Sequence, residues 1–316
     1  MKQPFALRPI RLEPIFRERV WGRESLGPWF VKGPERGPIG EVWFTCEENR
    51  TSQGVALGEL LREHPEILGT AVDAGHPCVC PLLLKLLFTR ERLSVQVHPG
   101  DDYAERQHGS LGKTEAWYVL DAEPPGELAV GFRETISRER MRRAAETGEI
   151  EALLDWRKVQ AGELIFVPAG TVHAIGAGLT VCEVQENSDI TYRLYDYGRG
   201  RELHLEDGLA VADLGPHKAQ AKRTKISESR EELVACQYFR VERLTPKSGM
   251  RIEGGLPYYL LLVCVKGSGT IVGEAFAAGD AWLVPAQSER VEIEGADGEW
   301  IITYTATEPA PGISAG

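Results

Sequence analysis

The chain has 316 residues, with 36 Lys+Arg against 47 Asp+Glu and a formal net charge of −11. Charged residues at 26% and hydrophobic ones at 42% describe a folded globular protein and exclude a largely disordered one. The acidic balance argues against a nucleic-acid or anionic-membrane partner, yet leaves room for an anionic small substrate gathered by a few local cations.

Taken in chain order, the N-terminal stretch MKQPFALRPIRLEP lacks an apolar h-region, so no secretory signal is expected and the default location is cytoplasmic. Leu57–His64 reads as a short helix. The apolar run from Val79 to Phe88 spans about ten residues and contains Lys85, too short to cross a bilayer. Short runs rich in Val, Ile, Leu and aromatics then recur between Gly and Pro. They are Leu93–Val97, Ala116–Leu120, Leu164–Val167, Leu179–Val184, Tyr258–Val265 and Trp300–Tyr304, and they predict strands. Ser137–Trp156 is the one modest helical insertion, with Ser137 as N-cap but Arg140 where a capping box wants an acid. The polar segment 215–232 predicts a linker that divides the chain near residue 220. The six cysteines are too sparse for a disulfide framework and read as reduced, buried thiols, and Cys78-Val79-Cys80 lacks zinc-site spacing.

Across the linker the sequence repeats itself. Ala161–His173 (AGELIFVPAGTVH) and Ala278–Arg290 (AGDAWLVPAQSER) share their strand-and-turn pattern, with His173 aligned to Arg290. Duplication of a β-barrel is the better reading than chance turn chemistry, with a second copy that has lost a ligand and hence a single active centre.

Three segments concentrate metal-binding residue types. In Ser94-Val95-Gln96-Val97-His98 the polar residues share one strand face, which calls for a polar cavity. Lys113 and Glu115 share a face in the same way, and the turn Pro168–Thr171 leads into His173. Gln96, His98, Glu115 and His173 together suit Zn²⁺ or another divalent first-row ion. Each also has a plainer reading: a hydrogen-bonded structural His173, a surface Glu115 paired with Lys113, a Lys85 that snorkels to water, an outward Glu183. Arg193 and Arg199, in turn, could simply pair with Asp189 and Asp196. The remaining histidines, His64, His76, His108, His204 and His217, keep the structural reading.

The Gln-x-His, Glu and Pro-x-Gly-x₂-His segments stand in the order of the two cupin motifs. More narrowly, the sequence resembles the type I mannose-6-phosphate isomerases (phosphomannose isomerases) in their compact bacterial form. The matching stretches are RVWGRESLG, PIGEVWF, LLLKLLF, SVQVHPGDDYA, GKTEAWYVL, PAGTVHAIGAGL and EVQENSDITYRLYDYGR, in family order. The resemblance implies a mainly β fold of two cupin-like (double-stranded β-helix) barrels with a short helical insertion at about 137–156. It implies a catalytic metal-binding domain over 1–220 and a degenerate C-terminal barrel without metal over 221–316. It assigns one Zn²⁺ per chain to Gln96, His98, Glu115 and His173 and puts Arg193 in the catalytic centre. Glu183, Lys113 and Lys85 are placed in the pocket, and Ser94 and Arg199 near the substrate phosphate. Some family members carry Lys where this chain has Arg199, and arginine would still bind phosphate.

The implied reaction is reversible aldose–ketose interconversion of mannose 6-phosphate and fructose 6-phosphate through an enediol(ate), with Glu183 and Lys113 as rival bases. A non-catalytic sugar-phosphate sensor and another metal-dependent cupin, such as an Fe(II) oxygenase, are the alternatives. No nucleic-acid or membrane partner is expected, and the sequence leaves the oligomeric state open.

Overall fold

The computed structural model describes residues 5–31, 37–70, 79–295 and 298–316. Alternating apolar residues in short runs build strands with one face to bury, and the strands pair into two sandwiched barrels. In the first, a six-stranded sheet runs Ile15–Arg23, Ile39–Trp43, Leu82–Phe88, Leu179–Glu186, Glu115–Ala122, Leu164–Val167 from edge to edge. Facing it, a five-stranded sheet runs Tyr192–Tyr195, Val95–Val97, His173–Ile175, Glu127–Phe132, Leu154–Lys158.

The second barrel repeats this order strand for strand. One sheet runs Thr224–Lys225, Arg230–Ala235, Arg240–Leu244, Glu299–Tyr304, Leu260–Lys266, Ala281–Val284, and the other Ile313–Ala315, Met250–Ile252, Val291–Gly295, Ser268–Ile271, Glu274–Ala277. The duplication seen in one strand and turn therefore extends through the whole barrel.

Register makes the correspondence residue by residue. Glu115 pairs with Val167 in the first barrel and Leu260 with Val284 in the second, the repeat offset of 284 − 167 = 117. Leu260, buried and apolar, thus stands where the first barrel has Glu115. Lys85 lies opposite Glu183, which lies opposite Trp117, whereas Glu242 lies opposite Ile302, which lies opposite Leu262. Glu242 therefore occupies the place of Lys85. Its charge is met by Arg230, with contacts of 2.6 and 2.9 Å, and by the Tyr304 hydroxyl at 2.5 Å. The rest of that interior is filled by Met250, Ile252, Leu262, Trp282, Ile293 and Trp300, which leaves a packed core.

Chain order and space part at one point. Ile10–Leu12 pairs with the Ala281–Val284 strand and so forms the edge of the second barrel's sheet. One hydrophobic cluster joins Ile10, Leu84, Phe88 and Cys182 to Leu233, Phe239, Leu261 and Ile301, because the outer apolar faces of the two larger sheets bury each other. The segment 215–232 is likewise not all linker: its last residues start the strand Arg230–Ala235, where the polar letters of Arg230 hid a buried ion pair.

The expected helices form, with adjusted bounds. Leu57–Glu63 is helical, and the insertion splits into Arg138–Thr147 and Ile150–Leu153 before Trp156 joins a strand. Ser137 caps its helix alone, accepting from Arg140 N at 3.2 Å, so no acid at the capping-box position is required. Two further helices, Asp101–His108 and Leu205–Val211, had too little apolar periodicity to be read from sequence. Cys46, Cys80, Cys182, Cys236 and Cys264 are free thiols, and Cys78 lies outside the described residues. Among the described residues no helix is long and apolar enough to cross a membrane.

Candidate active site

The site is built by register. His173 and Arg193 both lie opposite Gln96, so three neighbouring strands of the five-stranded sheet bring these side chains abreast. On the facing sheet Lys85, Glu183 and Trp117 form one row, and Glu115 and Gln185 the next. The turn before His173 contains Gly170 at φ +86°, a left-handed conformation that favours glycine, and it swings His173 onto its strand.

At the floor His98, Glu115 and His173 place their ligand atoms within 4.8 Å of one another. His173 Nε2 is 3.3 Å from Glu115 Oε1, and His98 Nε2 is 3.6 Å from Glu115 Oε2. Both imidazoles are anchored from behind: His98 Nδ1 meets Ile190 O at 2.8 Å and His173 Nδ1 meets Thr171 O at 2.9 Å. Donation from Nδ1–H leaves the Nε2 lone pairs directed at the centre. The amide end of Gln96 reaches the same point, 3.3 Å from His173 Nε2, while its Oε1 accepts from Ser94 Oγ at 3.0 Å.

The electrostatics suit a cation. Burial, helped by Lys113, holds His98 well below its ordinary pKa, and burial brings His173 down to about 3, so both rings are neutral. Burial, then the Glu183 charge, pushes the Glu115 carboxyl up to about 8. His98 Nε2 and Glu115 Oε1 are buried without any hydrogen-bond partner. Buried polar atoms are rarely left so, and two neutral imidazoles facing one carboxyl form a donor set that fits a divalent metal.

Above the floor opens a cavity of about 490 Å³ lined by Ser94, Gln96, Lys113, Lys85, Glu183 and Arg193. Lys85 is buried there; Nζ donates to Gln185 Oε1 at 2.8 Å, lies 3.4 Å from Glu183 Oε1, and sits 4.4 Å over the Trp43 ring. Burial alone would lower its pKa, but Glu183, Glu41, Asp189 and Glu115 outweigh that and raise it. The surface-snorkelling reading of Lys85 is thereby removed. Lys113 Nζ lies 3.9 Å from Glu115 Oε2.

Arg199 is not among the residues lining the cavity. Its guanidinium lies 2.9 Å from Asp196 Oδ1 and 5.2 Å from the Tyr197 ring. Arg201, two residues on, does line the cavity and binds Asp196 through both Nε at 2.8 Å and Nη2 at 2.6 Å. Arg193 completes the group: Nη1 donates to Glu202 O at 2.8 Å, and Nε is buried without a partner. Burial would raise the Asp196 pKa, but Arg201, Arg199 and Arg193 outweigh it and hold the carboxylate ionised. Burial, then Arg201, lowers that of Arg193. Arg199 and Arg201 thus pair directly with the buried Asp196 carboxylate, and Arg193 acts on it at longer range.

Sequence reasoning missed Arg201, Arg19, Glu41 and Asp189 as wall residues. Glu41 lay inside a matched stretch, PIGEVWF, and pairs with Arg19 at 3.1 and 2.9 Å. Arg201 is in a loop, where no periodicity marks an inward residue. A larger cavity of about 700 Å³ lies between the barrels, but it holds none of the candidate ligands.

A double-stranded β-helix barrel with two neutral histidines and a carboxyl at the floor of a cation-rimmed cavity defines a cupin with a candidate metal centre. Comparison narrows the class. Residues 10–135 match the catalytic domain of phosphomannose isomerase type I. The chain is 35% identical over 309 residues to the mannose-6-phosphate isomerase ManA of Bacillus subtilis, covering 91% of this chain and 96% of that one. It is 33% identical over 307 residues to the mannose-6-phosphate isomerase of Streptococcus mutans, covering 91% and 95%. The crystal structure of the Bacillus subtilis mannose 6-phosphate isomerase superimposes with a TM-score of 0.85 at 30% identity, over 94% of this chain and 99% of that one. The chain belongs to the type I phosphomannose isomerase family.

Proposed function

We propose that this protein interconverts mannose 6-phosphate and fructose 6-phosphate with one Zn²⁺ held by Gln96, His98, Glu115 and His173. The observation that carries the reading is the pair of unpartnered buried atoms, His98 Nε2 and Glu115 Oε1, at the floor of the cavity. When bound, zinc would supply a Lewis acid for sugar oxygens that gain negative charge. Gln96 would offer its carbonyl oxygen by turning its amide end for end.

The chain's own residues supply the rest. Aldose–ketose interconversion moves a proton between C1 and C2 through an enediol(ate). Glu183 is our choice of base: it lines the cavity, and Lys85 at 3.4 Å fixes its carboxylate. Lys113, on the cavity wall 3.9 Å from Glu115 Oε2, is placed to hydrogen-bond the sugar oxygens. Arg193, with an unused Nε, stabilises charge there. The dianionic phosphate is met by Arg201 at the cavity wall, with Arg199 acting from behind Asp196. Ser94, also in the wall, offers a hydroxyl.

Glu183 and Arg193 both face the cavity, so the observation that a non-catalytic sensor would need, one of them turned away, is missing. We further propose that residues 1–220 hold the catalytic centre and 221–316 a barrel without metal, supported by Leu260 in the place of Glu115. A cytoplasmic setting fits the free thiols.

A coupled assay following fructose 6-phosphate formed from mannose 6-phosphate tests the function. Zinc-replete protein should turn over, chelated protein should not, and restored zinc should recover the rate. Zinc-replete protein without turnover refutes the reading.

A further inference from the structure

The second barrel has lost its own ligands, yet one of its residues reaches the active-site scaffold of the first. Tyr238 sits on the connection between the strands Arg230–Ala235 and Arg240–Leu244, a tight turn closed by Cys236 N donating to Phe239 O at 2.9 Å. Phe239 is fully buried in the core between the barrels and packs edge-on against Phe166 of the first, with ring centroids 6.4 Å apart. That anchor fixes where Tyr238 points.

Its hydroxyl donates to Asp101 Oδ2 at 2.8 Å. The other oxygen, Oδ1, accepts from Gly112 N at 2.9 Å. Gly112 is required by the close approach: a Cβ there would come 2.6 Å from Asp101 N and 2.7 Å from Gly100 C. The next residue, Lys113, donates its backbone N–H to Pro99 O at 3.0 Å. Then Thr114 N donates to Glu186 Oε2 at 2.7 Å, and Glu186 N returns a bond to Thr114 O at 3.1 Å. Glu186 also hydrogen-bonds Asp101, and burial, with Asp101 contributing, pushes its carboxyl up to about 8, so it carries a proton at neutral pH. Segment 112–114 is thus stapled on both sides, with Asp101 as the common acceptor. This segment delivers Lys113 to the cavity and leads into Glu115.

We propose that Tyr238 is a positioning residue that, through Asp101 and Gly112, holds Lys113 in the geometry for turnover, so that the metal-free barrel serves the chemistry of the other. The proposal rests on Lys113 acting on the substrate, as argued above. Since an ångström of misplacement is costly in a positioned proton donor, the effect belongs to kcat and not to phosphate binding. A second inter-barrel bond, Tyr118 to Glu299, joins the barrels without touching segment 112–114 and provides the control.

The test uses the zinc-loaded full chain. Tyr238→Phe should lower kcat about tenfold. KM for mannose 6-phosphate, inhibition by inorganic phosphate and bound zinc should stay at parental values. Backbone hydrogen exchange in the peptide around Gly112 should quicken, a readout that needs no turnover. Asp101→Asn should act in the same direction, and the double variant should lose no more than Asp101→Asn alone, because both act on one path. Glu299→Gln should keep parental kcat. Parental kcat and exchange in Tyr238→Phe, additive losses in the double variant, or an equal loss in Glu299→Gln would each overturn the proposal. A parent protein without isomerase activity would instead refute the function, and the exchange measurement would still decide whether Tyr238 holds the segment.

Discussion

The arginine group around Asp196 makes the most discriminating prediction. Arg201 lines the cavity and Arg199 does not, although the family pattern alone would choose Arg199 for phosphate. Replacing Arg201 by Leu removes one positive charge from the cavity wall, while Arg199 still binds Asp196 at 2.9 Å. A hydrogen bond to a charged group contributes about 1.5–3 kcal/mol. Arg201 is 30% exposed, so solvent screening favours the lower end. About 1.5 kcal/mol corresponds to roughly a tenfold rise in KM for mannose 6-phosphate. Phosphate is held alike in ground and transition states, so kcat should change about twofold or less. Competitive inhibition by inorganic phosphate should weaken in parallel. Arg199→Leu, which acts only by loosening Asp196, should raise KM about two- to threefold. Initial rates over a range of mannose 6-phosphate and phosphate concentrations measure all of these. The reasoning is refuted if Arg201→Leu keeps parental constants, or if Arg199→Leu has the larger effect on KM.

The remaining predictions concern the floor, the buried lysine and the carboxyl pair. His173→Ala should bind less than one zinc per chain by elemental analysis and lose activity, and full zinc occupancy would show that the cluster is misassigned. Lys85→Met leaves Glu183 buried without its ammonium and should cost about 3 kcal/mol in denaturant unfolding. Adding Glu183→Gln should recover most of that stability but none of the activity, and a stable single variant would contradict the ion pair. Glu186 titrates higher in the folded protein than its unfolded value of about 4.3. Its stabilising contribution is therefore complete below that value and falls as pH rises toward the folded pKa of about 8. Glu186→Gln, which cannot ionise, should consequently gain in melting temperature relative to the parent between pH 5 and about 8. A pH-independent difference would show that Glu186 releases no proton on unfolding, so that its folded pKa is not raised.

Much of the site could be read from the letters because strands alternate. Ser94, Gln96 and His98 are two residues apart, and a strand with apolar Val95 and Val97 on its other face leaves them one direction, inward. Glu115 and Glu183 obeyed the same rule. Lys85 was legible as a misfit in an apolar run, since an ammonium in LLLKLLF needs a polar cavity and carboxylate partners. Arg201 and Asp189 were not legible, because loops have no period and their wall positions follow from the path of the chain. Tyr238 was hidden for a further reason: its partner Asp101 is 137 residues away, on the other barrel.

By itself the sequence determined the class of fold, and it carried the strand-and-turn repeat and the residue types from which the metal site is proposed. These are properties of periodicity and residue chemistry, which act over a few neighbours. Tertiary structure alone decided which arginine reaches the cavity, that Ile10–Leu12 completes the second barrel, and that Tyr238 braces the segment bearing Lys113. Each depends on contacts between segments remote in sequence, set when two apolar sheet faces bury each other, and no local pattern encodes which remote partner arrives.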